Sequence, residues 1–163
     1  MSRGFPGSLM PDARAGSIHE IDFAAEYESG IRGVIFDIDN TLVPHGRPAD
    51  EETLSFFEKL KETGLKYCLI SNNSEERVRP FAMAVGAFYV FKAGKPLKKG
   101  YLQAMEEMGT GEEETLFVGD QLFTDVFGAK HAGIRCIQVR PIDPSTDPPF
   151  VVFKRKLEKL FQR

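Results

Sequence analysis

The sequence predicts an α/β fold, in which helices cover a doubly wound, mainly parallel sheet of five strands. Five short apolar runs predict the strands, at residues 33–36, 67–70, 88–91, 116–118 and 134–139. These runs are rich in Val, Ile, Leu and Phe and do not alternate with polar residues, as expected for strands buried on both faces. Segments with helical spacing lie between them, and this alternation is typical of a parallel sheet.

The helices are predicted from apolar spacing and from residues that end a helix. Leu54, Phe57 and Leu60 recur every three residues before Gly64, a typical residue just past a helix end. The other internal helices are predicted in residues 74–85, after Pro96 through Leu102, Met105 and Met108, and in residues 121–131. Pro80 should break the helix in 74–85 or begin a new one.

Residues 1–163 are predicted to form a single domain, because a chain of this length supplies one hydrophobic core. Residues 1–30 form an N-terminal extension, in which Asp22 is expected to cap a short helix. Residues 140–163 contain a proline-rich linker and a final helix. An apolar stripe on this helix is expected to pack on the sheet, and it consists of Phe150, Phe153, Leu157 and Leu160.

Composition excludes several classes of protein. The net charge of −3 disfavours a nucleic-acid partner. No apolar run approaches the ~18 residues of a membrane span, and the first ten residues lack the apolar core of a secretory signal. Cys68 and Cys136 lie inside apolar runs, which indicates buried thiols and a cytoplasmic protein. The basic final helix leaves peripheral membrane contact through residues 150–163 open, and oligomerisation is open too.

Side chains that could bind a ligand or take part in catalysis follow four of the predicted strands. In chain order they are Asp37, Asp39 and Thr41, then Ser71 and Asn72, then Lys92 and Lys95, and finally Asp120 and Asp125. Each alone has an ordinary explanation as a helix cap or a surface residue. Because ligands bind beyond the carboxyl ends of parallel strands, their convergence at one edge predicts a functional site.

This set of residues is suited to a divalent metal ion and a phosphate group. Asp37 and Asp120 offer the oxygen ligands that Mg²⁺ prefers, and the sequence has no His/Cys cluster for zinc. Ser71 with its neighbouring amides, and Lys95, can hydrogen-bond a phosphoryl group. Asp37 is the candidate nucleophile. Asp39 is the candidate general acid, because nearby carboxylates should raise its pKa.

The sequence DIDNTL at residues 37–42, Ser71, the Lys95-Pro96 pair and GDQLFTD at residues 119–125 resemble the four motifs of the haloacid dehalogenase superfamily. More narrowly, the chain resembles its subclass IIIA phosphatases of the YqeG type, which are related to phosphatidylglycerophosphate phosphatases. The resemblance runs from about residue 11 to residue 140. The two acidic motifs together are a specific signal.

The resemblance implies a phosphatase that forms an aspartyl-phosphate on Asp37. Asp39 would protonate the leaving group and then activate water, and Lys95 would hold the nucleophile and the phosphate together. Lys92 is an alternative to Lys95, although Pro96 after Lys95 fits the family pattern better. The residues expected to bind phosphate are Thr41, Ser71 and Asn72. Those expected to hold Mg²⁺ are Asp37, Asp39 (through its carbonyl) and Asp120, with Asp125 acting indirectly.

Superfamily members with a large cap insert it shortly after the first motif or between the second and third. Here Asp39 and Ser71 are 32 positions apart, and Ser71 and Lys95 are 24 apart. One helix, one strand and their loops fill each interval, so the resemblance implies a capless protein with an open site. His45 and Arg47, in the loop after the first motif, could contact substrate or be ordinary loop residues.

The expected activity is hydrolysis of a phosphomonoester, either a small molecule or a lipid phosphate. Phosphatidylglycerophosphate is one candidate, beside nucleotides, phosphosugars and phosphoproteins. The alternative is a non-catalytic phosphate-binding or phospho-acceptor regulatory module. A response-regulator receiver uses similar residues, but its acidic pair follows the first strand and its acceptor the third, an order that differs from this one.

Overall fold

The computed structural model describes residues 10–161, and six parallel strands form one sheet in it. The strands are β1 (Ala13–Ala15), β2 (Gly33–Phe36), β3 (Lys66–Ile70), β4 (Phe88–Val90), β5 (Thr115–Gly119) and β6 (Arg135–Val139). The helices are α1 (Phe23–Glu28), α2 (Glu51–Glu62), α3 (Glu75–Val85), α4 (Lys98–Met108), α5 (Phe127–His131) and α6 (Pro149–Phe161). The strand order is β1-β6-β5-β2-β3-β4, which places β2 and β5 at the centre.

Helices cover both faces of this sheet, which confirms the doubly wound α/β fold. Val34 and Phe36 of β2 pack in a core with α1, α2 and α3. Ile35, between them, points to the other face and packs in a second core with α4 and α5. Both cores are apolar because each central strand is buried on its two sides. The carboxyl ends of β2, β3 and β5 therefore open onto one edge.

The sheet contains one strand more than predicted. β1 lies at the edge and pairs with β6, with Ala13 opposite Ile137. Asp12, the residue before β1, joins the start of this strand to β6. The Asp12 main-chain N–H donates to the Cys136 carbonyl, and the Asp12 carboxylate accepts from the Cys136 N–H. A three-residue, largely exposed edge strand carries no apolar run, so its sequence contains no strand signal.

The prediction that Pro80 breaks its helix is wrong, since α3 runs through it. Pro80 is exposed, so water can reach the carbonyl that loses its helical partner, while Val78, Phe81 and Val85 on the opposite side are buried. Burial of that apolar face outweighs the local cost of the proline.

The segment 121–131 is also not one regular helix. A π-helical turn, Leu122–Val126, precedes α5, and both Asp125 and Val126 donate their N–H to the Gln121 carbonyl. Such widened turns occur at functional sites. This turn directs the Asp125 side chain back toward the end of β5.

The final helix forms where it is predicted, but the expectation that its apolar stripe packs on the sheet is wrong. Phe150, Phe153, Leu157 and Leu160 are all exposed, and the buried positions of α6 are Val151 and Glu158. Within residues 10–161, none of the helices combines the length and apolarity needed to cross a bilayer.

Candidate active site

The segments that follow β2, β4 and β5 bring an ammonium group between two buried carboxylates. Lys95 Nζ lies 2.8 Å from Asp37 Oδ1 and 2.7 Å from Asp125 Oδ1. All three side chains are nearly inaccessible to solvent. Burial lowers the pKa of Lys95, but the charges of Asp125 and Asp37 outweigh that effect and hold it well above the usual range. Lys92, by contrast, is exposed in a turn after β4.

A second contact joins Asp37 to Asp120 through a hydroxyl group. Thr41 Oγ1 lies 3.0 Å from Asp120 Oδ1 and 3.3 Å from Asp37 Oδ2, so it can donate to either carboxylate. Thr41 is buried between the two acids, and this contact occupies the hydroxyl that the sequence assigns to phosphate. Burial, and next the charge of Asp125, raises the pKa of both Asp37 and Asp120.

Asp125 is held by main-chain donors. Its Oδ2 accepts hydrogen bonds from the N–H groups of Asp120 and Gln121, at 3.2 and 3.0 Å. Tyr101 of α4 stabilises the π-helical turn, because its hydroxyl donates to the Thr124 carbonyl at 2.8 Å. Asp125 is thereby locked in place for Lys95.

Gly119 permits this approach of Asp125 to β5. A Cβ atom on Gly119 would lie 2.6 Å from Asp125 Oδ2 and 2.7 Å from the Phe117 ring. Neither neighbour can move freely, since the carboxylate is hydrogen-bonded and the ring is in the core. The glycine of the GD pair is therefore a steric requirement of the site.

We expect Gly119→Ala to displace the Asp125 carboxylate and to lower kcat for hydrolysis of a phosphate ester, the activity expected from the sequence, by about tenfold to a hundredfold, because a small shift of a positioned group is costly. The unfolding free energy should fall by about 1–3 kcal/mol from overpacking. Enzyme kinetics and urea denaturation measure both effects. Gly111→Ala is the matched control, because no atom lies within contact of its added Cβ. Equal behaviour of the two variants would contradict the steric role.

The structure separates Asp39 from the other acids. Its Oδ1 accepts from the Gly46 N–H at 2.8 Å and from Arg77 at 3.0 Å, and His45 Nδ1 lies 3.9 Å away. Burial raises the pKa of Asp39, but the hydrogen bonds from Gly46 and Arg77 outweigh it, so the net pKa is lowered. The expectation that crowding raises the pKa of Asp39 is wrong, because the crowded carboxylates are those of Asp37, Asp120 and Asp125.

The motif after β3 positions the main chain of Lys95. Asn72 makes a reciprocal pair with the Lys95 main chain: its Oδ1 accepts from the Lys95 N–H at 2.7 Å and its Nδ2 donates to the carbonyl at 3.1 Å. The Asn72 side chain is thus used to position Lys95. Ser71 is buried at the strand end, and its hydroxyl accepts from the Asn73 N–H.

Two arginines at this edge were not singled out as site residues from sequence. Arg155 of α6 donates to Asp120 Oδ2 at 2.5 Å and to Asp147 Oδ2 at 2.6 Å. Arg77 of α3 holds Asp39. A basic residue on an amphipathic helix gives no sequence signal of such contacts, since the partners are far away in the chain. Arg47 of the loop after the first motif is exposed.

The donor set at this edge fits a divalent cation. Asp37, Asp120 and Asp125 offer carboxylate oxygens that all lie within 4.8 Å of one another, and all three residues are buried. Two cationic side chains, Lys95 and Arg155, contact this cluster, so the three carboxylates retain an excess of negative charge. A hard cation would relieve the repulsion that raises the pKa of Asp37 and Asp120.

The chain is similar in sequence to known hydrolases and phosphatases. A family model described as haloacid dehalogenase-like hydrolase matches residues 46–133. The Bacillus subtilis (strain 168) protein named "Probable phosphatase YqeG" is 36% identical over 152 residues, which span 93% of this chain and 88% of that protein. The chloroplastic phosphatidylglycerophosphate phosphatase 1 of Chlamydomonas reinhardtii is 27% identical over 169 residues, covering 93% of this chain and 60% of that protein.

A solved structure has a similar fold. It is the cobalt-bound deoxy-D-mannose-octulosonate 8-phosphate phosphatase from Haemophilus influenzae, which superposes with a TM-score of 0.51 at 16% identity. The match covers 60% of this chain and 61% of that chain. At this identity the similarity concerns the fold alone.

Proposed function

Since the chain belongs to the haloacid dehalogenase-like hydrolases and is a phosphatase, we propose that it hydrolyses phosphomonoesters with Mg²⁺ through an aspartyl-phosphate on Asp37. The observation that carries this proposal is the buried group of Asp37, Lys95, Asp120 and Asp125 at the carboxyl edge of the sheet. In this group the Lys95 ammonium contacts two carboxylates, those of Asp37 and Asp125, and Asp120 lies beside them.

Asp37 is the nucleophile of the proposal. The Lys95 ammonium, 2.8 Å from its Oδ1, can contact both this carboxylate and an incoming phosphoryl group and reduce their repulsion. Ser71 and the main-chain N–H of Asn72 are the proposed donors to the phosphoryl oxygens. Thr41 would assist by holding the second oxygen of Asp37.

Asp39 is proposed to move the proton. Its pKa is lowered while Gly46 and Arg77 donate to it. A phosphate dianion bound at Asp37 places negative charge beside Asp39 and would raise its pKa, so that it could carry a proton to the leaving oxygen. Once the leaving group departs, the carboxylate can take a proton from the attacking water. Arg77 and His45 lie beside the Asp39 carboxylate and would orient it.

Asp37, Asp120 and the main-chain carbonyl of Asp39 are the proposed metal ligands, and Asp125 supports the site through Lys95 and its main-chain donors. When bound, Mg²⁺ supplies positive charge to the nucleophile and phosphoryl oxygens. Oxygen-only ligands favour Mg²⁺ over zinc.

We also propose a single capless domain with an open active site. Residues 37–95, all of which the structure describes, contain the loop after β2, then α2, β3, α3, β4 and the turn to Lys95, so both cap positions hold elements of the core. An open site suits a large phosphomonoester, and similarity to the Chlamydomonas enzyme supports phosphatidylglycerophosphate as one substrate. The two buried, unpaired cysteines support a cytoplasmic location.

The test is a screen of phosphate esters, including phosphatidylglycerophosphate, a nucleotide, a phosphosugar and an aryl phosphate, with Mg²⁺ or with EDTA. We expect hydrolysis with Mg²⁺ and a loss of at least about a hundredfold with EDTA, restored by added Mg²⁺. Added Mg²⁺ should raise Tm and EDTA should lower it, because a ligand that binds the folded state stabilises that state. Activity that is indifferent to EDTA would refute the metal dependence, and a stable phosphoprotein without turnover would favour a phospho-acceptor module.

A further inference from the structure

Helix α6 presents its polar side to the rest of the protein and its apolar side to solvent. Val151, Arg155 and Glu158 are spaced by four and three residues and therefore share one face, which points inward. Phe153 and Leu160 lie on the opposite face. This arrangement is the reverse of an ordinary surface helix, whose apolar face packs on the core.

Polar contacts fix this rotation of the helix. Arg155 bridges Asp120 and Asp147 at 2.5 and 2.6 Å, and Glu158 Oε1 accepts from the Phe123 N–H at 3.0 Å. Turning the apolar side inward would break these contacts and leave the buried Asp120 without its guanidinium partner, which is costly. The apolar side is therefore held outward by the fold.

We name the outward side of the helix the α6 stripe. It consists of Phe150 (62% exposed), Phe153 (62%), Leu157 (37%) and Leu160 (67%), while the Phe161 ring packs edge-to-face against Phe123. Four large apolar side chains exposed along about 15 Å of helix form the kind of patch that marks an interaction surface. Basic residues border it, since Lys156 lies on one side and Lys154 on the other, over the Phe150 ring, while the exposed Lys159 lies beyond Lys156 toward the Arg155 face.

We propose that the α6 stripe docks on the surface of a bilayer that contains anionic lipids. The stripe would enter the boundary between headgroups and acyl chains, and the lysines would reach the lipid phosphates. The charge of the chain favours this occupant. Residues 150–163 carry +4 by sequence while the whole chain carries −3, so the rest carries −7 and would be repelled by the same surface.

A second copy of the chain is a poorer occupant. A symmetric pairing of two stripes would bring Lys154 and Lys156 of one helix close to the same residues of the other, and like charges in contact are unfavourable. A lipid surface supplies the opposite charge along the whole helix. Because Arg155 joins α6 to Asp120, the docked helix would also set the active-site edge beside the bilayer.

The test is co-sedimentation of the full chain with vesicles of phosphatidylcholine alone or mixed with phosphatidylglycerol. It reads binding and does not depend on phosphatase activity. We expect binding to the mixed vesicles, weak binding to phosphatidylcholine, and a decrease of binding at high salt. Phe153→Ser with Leu160→Ser, and separately Lys156→Glu with Lys159→Glu, should each lower the partition coefficient about tenfold or more.

The matched controls lie at the opposite end of the sheet. Met83→Ser on α3 removes an exposed apolar side chain, and Lys59→Glu with Lys61→Glu on α2 reverses two exposed charges. Both should bind as the unchanged chain does, and all variants should keep its Tm because the altered residues are exposed. Absence of vesicle binding, or equal binding of stripe and control variants, would overturn the proposal. A dimer in light scattering that the stripe variant dissociates, without vesicle binding, would assign the surface to a second copy.

Discussion

Asp37→Asn is expected to lower kcat for an aryl phosphate with Mg²⁺ by at least about 10³-fold while leaving the protein folded. The amide cannot form the acyl-phosphate, so the loss concerns the chemical step. Stability should be unchanged or higher, because the variant removes one of three crowded, buried carboxylates whose burial and neighbours already raise the pKa of Asp37. Kinetics and thermal unfolding on the same sample measure the two effects.

Asp50→Asn is the matched control for this variant. Asp50 caps α2 through the Thr53 N–H, and asparagine serves equally well at such a position. Rapid quenching with a labelled phosphate ester should yield labelled protein from the unchanged chain and none from Asp37→Asn. Turnover in Asp37→Asn within tenfold of the unchanged enzyme would exclude Asp37 as the nucleophile.

Lys95→Met is expected to cost about 3–5 kcal/mol of unfolding free energy without added metal, because it leaves Asp37 and Asp125 buried with no ammonium between them. Activity should fall by about 10²-fold or more, since the group that holds nucleophile and phosphate together is lost. Urea denaturation with and without Mg²⁺ measures the first effect, and the metal should recover part of the loss.

Lys92→Met is the control that separates the role of Lys95 from the loss of any positive charge near the site. Lys92 lies three residues earlier and is exposed, so stability and activity should be unchanged in this variant. The double variant Lys95→Met with Asp125→Asn keeps the experiment informative if the single variant unfolds. Removing one of the two uncompensated carboxylates should recover part of the stability but none of the activity. The assignment of Lys95 would be wrong if Lys92→Met lost activity and Lys95→Met kept it.

The convergence of the site was predictable because it depends on two local features. An apolar run buried on both faces specifies a strand, and the residue after it then lies at the carboxyl edge of a parallel sheet. This reasoning predicts that Asp37, Ser71 and Asp120 lie at the same edge. The contact of Lys95 with Asp37 shows that the segment after β4 lies at this edge too. The steric demand at Gly119 was not predicted, because it depends on the π-helical turn that returns Asp125 to the strand.

The environment of each acid was not predictable, because it depends on which distant side chains arrive. Asp39 and Asp37 are two positions apart, yet the pKa of Asp39 is lowered by Gly46 and Arg77 while burial and Asp125 raise that of Asp37. The position of a residue relative to a predicted strand indicates that it lies near the carboxyl end of that strand. It says nothing about the donors that a loop and a helix on either side supply.

The sequence by itself determined the α/β fold, five of the six strands and the motif residues, because these follow from apolar runs and from the residues next to them. Tertiary structure decided the edge strand β1 and the rotation of α6. β1 exists because Asp12 and β6 supply its hydrogen bonds, without any apolar signal. α6 turns its apolar side outward because buried contacts to Asp120 and Asp147 outweigh the burial that its pattern alone would favour.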